Sequence, residues 1–306
     1  MIDVNQLTKR FEGVTAVDGL TFRVDKGEVF GFLGPNGAGK TTTMRMLCCL
    51  ISKTSGEAKV GGYDTGNDND SLKIRKMIGL VPDNVGLYEE LTAYENLDFY
   101  GKLYERTEAQ RKEAIERYLR IMGLQGKQDQ PVGGFSKGMK QKVALARALL
   151  HNPQILFFDE PTVNLDPESA KVVRDLILEL KGQGKTIFLN THDLDEAQRI
   201  CDRIAIINTR LLAINSPAEL KRSLGGKQVI FQLASISDAI VNTVKDMKRK
   251  NVKVESNRII VDVADPQKEN PDIVREIVAA GGDIQFITES SPDLEDAYLK
   301  IVGESK

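Results

Sequence analysis

The sequence predicts an α/β fold: a mostly parallel sheet with helices on its faces, a helical subdomain inserted at about residues 87–152, and a small α+β domain at the end. Three observations point there. An apolar strand at 29–33 runs through a glycine-rich loop into a helix. A second apolar strand, 155–158, ends on two carboxylates, Asp159 and Glu160. Strand-like and helix-like segments then alternate to residue 207.

In chain order, residues 2–7, 20–24 and 28–33 read as short strands, with hairpin-like turns at Glu12-Gly13 and Lys26-Gly27. Met44, Met46, Leu47, Leu50 and Ile51 fall at helical spacing; a turn at Gly61-Gly62 and a polar loop at 66–71 follow. From about 95 to 124 the pattern is helical. Thr107 and Gln110 form a capping box there, Ile115, Leu119 and Met122 make a stripe, and Gly123 sits at the C′ position. After strand 155–158 come a helix to about 181, strand 186–189, a helix to 201 and strand 204–207. Gly225-Gly226 marks a boundary between domains 1–224 and 225–306. The second reads as strand 228–233, helix 236–249, strands 252–256 and 258–263, helix 271–280 and strand 284–288, a ferredoxin-like β-α-β-β-α-β order. A last helix has Ser291 as N-cap and Pro292 at N1, with Leu294, Tyr298 and Ile301 as its apolar positions.

Composition narrows the function. At 306 residues the chain holds one large domain plus a smaller one. Its 42 basic and 44 acidic residues leave a net charge of −2, so no nucleic-acid partner is expected. No apolar run approaches the roughly 18 residues of a membrane span. The N-terminus lacks the basic region and apolar core of a secretory signal. Cys48, Cys49 and Cys201 have the spacing of neither a zinc site nor a disulfide framework and suit a reducing cytosol. With only His151 and His192 present, a multi-histidine metal centre is excluded.

The loop Gly34-Pro35-Asn36-Gly37-Ala38-Gly39-Lys40-Thr41 carries the phosphate-binding pattern. Its glycines free backbone N–H groups to curl around phosphates. Lys40 places a charge on the β and γ oxygens, and the Thr41 hydroxyl is a hard oxygen ligand suited to Mg²⁺. A helix starting near Gly39 aims its positive end at the same anion.

Asp159 and Glu160 stand at the strand end where ligands bind in open α/β sheets. One carboxylate can hold Mg²⁺, and the next can orient or deprotonate an attacking water. An apolar strand ending in acid is common; paired with the phosphate loop it becomes a nucleotide-hydrolase signature. Ser136, in Phe135-Ser136-Lys137-Gly138-Met139, caps a helix rich in Ala and Leu. By pattern alone that is a plain capped helix, although such a start can also bind phosphate. His192 follows strand 186–189 at the same sheet edge as Glu160. A lone histidine there is more often structural, but its neighbours favour a functional role. His151 reads as a satisfied helix-end residue.

Phosphate loop, Ser-x-Gly helix start, Asp-Glu strand end and downstream His, in this order over residues 1–222, resemble the ATP-binding subunit of an ABC transporter. That is a P-loop NTPase with an inserted helical subdomain. The Phe135–Met139 variant and the tail Leu294-Glu295-Asp296-Ala297-Tyr298-Leu299 are similar to an exporter-type subgroup whose permease is a separate chain.

The resemblance implies a Mg²⁺-dependent ATPase on the inner face of the cell membrane, held there by its transmembrane permease. It implies that Phe11 stacks on adenine and that residues 34–42, including Thr42, cradle the phosphates. Asp159 holds Mg²⁺, Glu160 acts on water and His192 contacts the γ-phosphate. Ser136 and Gly138 complete the site of a second subunit, a copy of this chain or a related ATPase, and Leu165-Asp166 crosses that interface. There are departures. Asp83, after Val81-Pro82, replaces the family's usual Gln; it could still ligate Mg²⁺ but adds charge near the phosphates. Lys137 and Met139 replace a common Gly and Gln. A soluble ABC ATPase of ribosomes or nucleic acid is the rival reading, but those usually carry two nucleotide domains or a long coiled coil. This chain has one phosphate loop and no sustained heptads. A non-hydrolysing scaffold is disfavoured by the intact Asp159-Glu160 pair.

Overall fold

The structure, a computed structural model, describes residues 1–223, 227–246, 252–290 and 293–303. β1 (Ile2–Phe11) folds back through Gly13, whose φ of 73° suits glycine, into β2 (Val14–Val24). Both strands outrun their expected lengths because polar ends pair through the backbone, Lys9 with Val17 and Arg10 with Thr15. The Lys26-Gly27 turn is not a hairpin: it carries the chain into β3 (Val29–Leu33), a strand of a different sheet. α1 (Lys40–Leu47) starts after Gly39 and stops short of Leu50 and Ile51, because Cys49 takes a left-handed φ of 56°. β4 (Ser55–Val60) and β5 (Tyr63–Asp64) meet at Gly61-Gly62, both with positive φ.

The expected polar loop at 66–71 is instead the start of α2 (Asp68–Met77). The Asn67 side chain accepts from the Asn69 and Asp70 N–H groups, and acidic residues fill the first turn. After β6 (Ile78–Val81) the single helical stretch splits into α3 (Ala93–Leu103) and α4 (Glu108–Ile121). Each opens with a complete capping box, at Thr92 and Thr107, and Gly123 follows α4 with a φ of 65°. α5 (Lys137–Leu149) is capped by Ser136. Then come β7 (Ile155–Asp159), α6 (Pro167–Gly182), β8 (Thr186–Asn190), α7 (Leu194–Ile200) and β9 (Arg203–Asn208). Beyond the expected elements, β10 (Arg210–Asn215) returns antiparallel to β9 through Thr209, and α8 (Pro217–Ser223) follows.

One sheet runs β10-β9-β3-β8-β7-β6, parallel apart from β10; a second, antiparallel, runs β2-β1-β4-β5. β3, β7 and β8 are buried along their whole length, which is why they read as unbroken apolar runs. Phe22 of one sheet packs on Phe30, Phe32 and Phe188 of the other with ring centroids 5.5–6.1 Å apart. Burying each such ring contributes about 1.5–3 kcal/mol.

The chain separates into two compact units, Met1–Pro217 and Ala218–Gly303. The second contains β11 (Lys227–Leu233), α9 (Asp238–Asp246), β12 (Val252–Glu255), β13 (Arg258–Val263), α10 (Pro266–Ala279), β14 (Ile284–Ser290) and α11 (Leu294–Gly303). Its sheet, β12-β13-β11-β14, is antiparallel throughout. Val229, Phe231, Val261 and Val263 form one core with Ile240, Val244, Ile273 and Ile277. α10 starts earlier than expected, at Pro266, and runs through Pro271. Gly225-Gly226, the stretch 247–249 of the expected helix, Ser291 and Pro292 lie outside the described residues. α11 opens instead with the Asp293 carboxylate accepting from the Asp296 N–H at 2.8 Å.

Candidate nucleotide site

Parallel pairing aligns the C-terminal ends of the central strands: Phe32 stands beside Asn190, Asn190 beside Asp159, and Phe158 beside Val81. The segments leaving those ends therefore converge. They enclose a cleft of about 490 Å³ lined by the loop at 36–42, by Asp83, Asp159, Glu160, Val163 and His192, and by Ala16 from β2.

The loop's glycines are required by space. A Cβ on Gly34 would lie 2.3 Å from the Ile207 carbonyl oxygen. Gly39 has a φ of 95°, and a Cβ there would lie 2.4 Å from the Ala16 oxygen. Lys40 Nζ donates to the Gly34 and Pro35 carbonyls at 2.7 and 3.2 Å, folding its side chain back along the loop. Burial pulls its pKa down, and the Glu160 and Asp159 carboxylates oppose that.

Asp159 is buried, and Asn190 Nδ2 donates to its Oδ1 at 3.0 Å. At Glu160 the chain takes a left-handed φ of 53°, held by the Glu160 N–H donating to the Asn190 carbonyl at 3.0 Å. Such a conformation costs about 1–3 kcal/mol for a residue other than glycine and gathers at working sites. Both carboxylates line the cleft, and Glu160 Oε2 lies 2.8 Å from Nδ1 of the exposed His192.

Phe11 and Ser136 stand elsewhere. Phe11 is 49% exposed at the tip of the hairpin that also carries Ala16, with Lys9 Nζ 4.9 Å from its ring centroid. Ser136 is exposed, and its hydroxyl oxygen accepts from the Met139 N–H at 3.2 Å, which leaves its own hydrogen free to donate outward. Gly138 packs against the turn after Glu160: a Cβ there would be 2.9 Å from the Asn164 oxygen. Neither Ser136 nor Gly138 lines the cleft of its own chain.

The sequence reading passed over two residues that hold the site in place. Buried Gln141 of α5 donates Nε2 to the Pro161 carbonyl at 3.3 Å. Buried Arg147 of the same helix donates to the Gly86 carbonyl at 3.0 Å and lies 4.8 Å from the Tyr100 ring centroid, tying α5 to the segment after Asp83. Their signal was a polar residue on the buried side of a helix rich in Ala and Leu. His151 is only half satisfied: Nε2–H donates to the Ile78 carbonyl at 2.9 Å, the ring stacks on Tyr104 at 3.6 Å, and Nδ1 has no partner.

Known proteins resemble this chain throughout its length. The ABC transporter family pattern matches residues 17–163. The linearmycin resistance ATP-binding protein LnrL of Bacillus subtilis is 33% identical, aligned over 100% of this chain and 99% of its own. The Nod factor export ATP-binding protein I of Rhizobium sp. is 36% identical over 99% and 97%. A dimeric ATP-binding cassette in a post-hydrolysis state with ADP and Pi is 28% identical, with a TM-score of 0.66 over 71% of this chain and 98% of its own. The chain belongs to the family of ABC transporter ATP-binding proteins. It binds and hydrolyses ATP to energise transport through a partner permease. Among the described residues no helix is long and apolar enough to cross a membrane.

Proposed function

We propose that this chain powers export, working as a pair of ATP-bound subunits on the inner face of the membrane. The observation that carries the proposal is the convergence of Lys40, Asp159 and the Glu160–His192 pair on one cleft at the sheet edge. Export is supported by relatives named for linearmycin resistance and Nod factor export.

The loop at 34–42 cradles the phosphates, with Lys40 leaving its carbonyl partners to meet them. Glu160 accepts a proton from the attacking water, and His192, hydrogen-bonded to it, holds that carboxylate and meets the γ-phosphate. Thr41 and Asp159, a hydroxyl and a carboxylate lining the same cleft, fit Mg²⁺, which takes one or two protein oxygens and fills its shell with phosphate and water. That ion would neutralise charge on the phosphates. Asp83 lines the cleft as a further oxygen donor. Ser136 and Gly138, outside their own cleft, serve the partner's site, and Phe11 offers an exposed ring to adenine. The second unit is a ferredoxin-like domain following the nucleotide domain. Closing two subunits on ATP would dry the site, so hydrolysis follows assembly.

The test is Glu160→Gln. Turnover should fall by about 10²–10⁴-fold, the usual worth of a general base, while ATP still binds and a dimer accumulates in gel filtration. Unchanged turnover would remove Glu160 from the chemistry. Recovery of a multi-span membrane protein with the tagged chain tests the permease partner; recovery with ribosomes would favour the soluble reading.

A further inference from the structure

Glu196 has no part in the scheme above, yet its side chain is wholly enclosed at 1% exposure. It is the third residue of α7, and its N–H donates to the N-cap Asp193 at 2.9 Å. In a capping box its carboxylate would return to the N-cap N–H. Here Thr191 Oγ1 accepts that N–H at 3.0 Å and donates its own hydrogen to Glu196 Oε2 at 3.1 Å. The Thr162 hydroxyl and the Arg174 charge of α6 also favour the ionised carboxyl. Oε1 has no partner at hydrogen-bond geometry.

Two hydroxyls from different segments thus bear on one carboxyl. Thr162 lies inside the turn that follows Glu160, where the Val163 N–H donates to Glu160 O and the Leu165 N–H to Thr162 O, both at 3.2 Å. That turn leads to Asp166, the cap of α6. Thr191 is the chain neighbour of His192, whose ring returns to the Glu160 carboxylate. A buried carboxyl oxygen without a partner destabilises the fold, so a small shift that brings a hydroxyl onto it would be favoured.

We propose that Glu196 is a positioning residue that joins the turn carrying Leu165 and Asp166 to the strand end carrying His192, so that movement in either resets the other. The inference rests on the ATPase reading. Burial also pushes the Glu196 pKa up, and the Thr162 and Thr191 hydroxyls oppose that.

The full-length chain is assayed for ATP hydrolysis as Glu196→Leu, Glu196→Gln, Thr162→Val and the Thr162→Val/Glu196→Leu double variant, with Lys40→Ala alongside. Glu196→Leu should lower kcat about tenfold while KM for ATP stays within about twofold, the pattern of an interaction made only in the transition state. Glu196→Gln should recover most of that loss, because an amide can accept from Thr191 and donate to Thr162. Thr162→Val should matter less in the Leu background than alone, which marks coupling. An unchanged kcat in Glu196→Leu would overturn the proposal. So would losses in Leu and Gln alike that follow their thermal midpoints, or strictly additive effects. If the Leu variant does not fold, Thr191→Val combined with Thr162→Val carries the additivity test, because both hydroxyls act through the same carboxyl. Equal hydrolysis by wild type and Lys40→Ala would instead bring down the ATPase reading beneath it.

Discussion

The largely parallel sheet of the first unit and the antiparallel sheet of the second solve burial differently. In the first unit β3, β7 and β8 are covered on both faces, so side chains along them only pack and solvent is met only at the strand ends. Those ends carry Asp159, Glu160 and His192. In the second unit one face of an antiparallel sheet packs on α9 and α10, and its strands alternate: β13 reads exposed, buried, half-buried, buried, half-buried, buried. Its edge strand β14 leaves Phe286 66% exposed. Doubly covered strands concentrate chemistry at one rim, whereas a singly covered sheet spreads polar and apolar residues along its length and marks no rim.

Three substitutions should separate the units. Phe231→Ala empties the core of the second and should cost about 3–5 kcal/mol of its stability, while ATP affinity stays unchanged. Phe286→Ala on the same sheet should stay within about 0.5 kcal/mol. Calorimetry resolves both, and a fall in ATP affinity with Phe231→Ala would break the division. Lys40→Ala should do the reverse. Losing a charged donor to phosphate removes about 1.5–3 kcal/mol of binding, roughly ten- to a hundredfold in Kd, and the thermal midpoint without nucleotide should barely move. Equilibrium binding that stayed unchanged would count against the phosphate loop.

What the sequence made legible was local. The phosphate loop, the Thr107 capping box and the Asp-Glu strand end each need only neighbours along the chain, and each falls in the expected element. Asn67 and its acidic followers misled because loop chemistry and helix-start chemistry use the same residues. β10 was missed because its burial does not alternate: Leu211 to Ile214 are all half-buried. Long-range contacts were beyond reach. Asn190 meets Asp159, and Gln141 meets Pro161, only after β7, β8 and α5 have packed. Ser136 reads as an ordinary cap because the partner that would give it another role is not in the chain.

His151 offers the smallest effect and a pH-dependent one. Its ring lies against Tyr104 with Nε2–H on Ile78, and the Arg106 and Lys185 charges nearby disfavour an imidazolium. Burial is the larger cause, and together they bring its pKa from 6.5 to about 4. Below the ordinary value the unfolded chain binds a proton that the folded chain refuses. The first unit should therefore keep full stability above about pH 6.5 and lose about 2–3 kcal/mol as the pH falls towards 4. His151→Phe keeps the stack on Tyr104 and has nothing to titrate, so it should remove that slope while giving up the Ile78 hydrogen bond at every pH. Denaturant midpoints taken from pH 7 to 4.5 for both proteins decide it. Because His151 belongs to the first unit alone, the second unit's transition should keep the same pH dependence in both proteins; a slope in the first unit that survives the substitution would place the titrating group elsewhere.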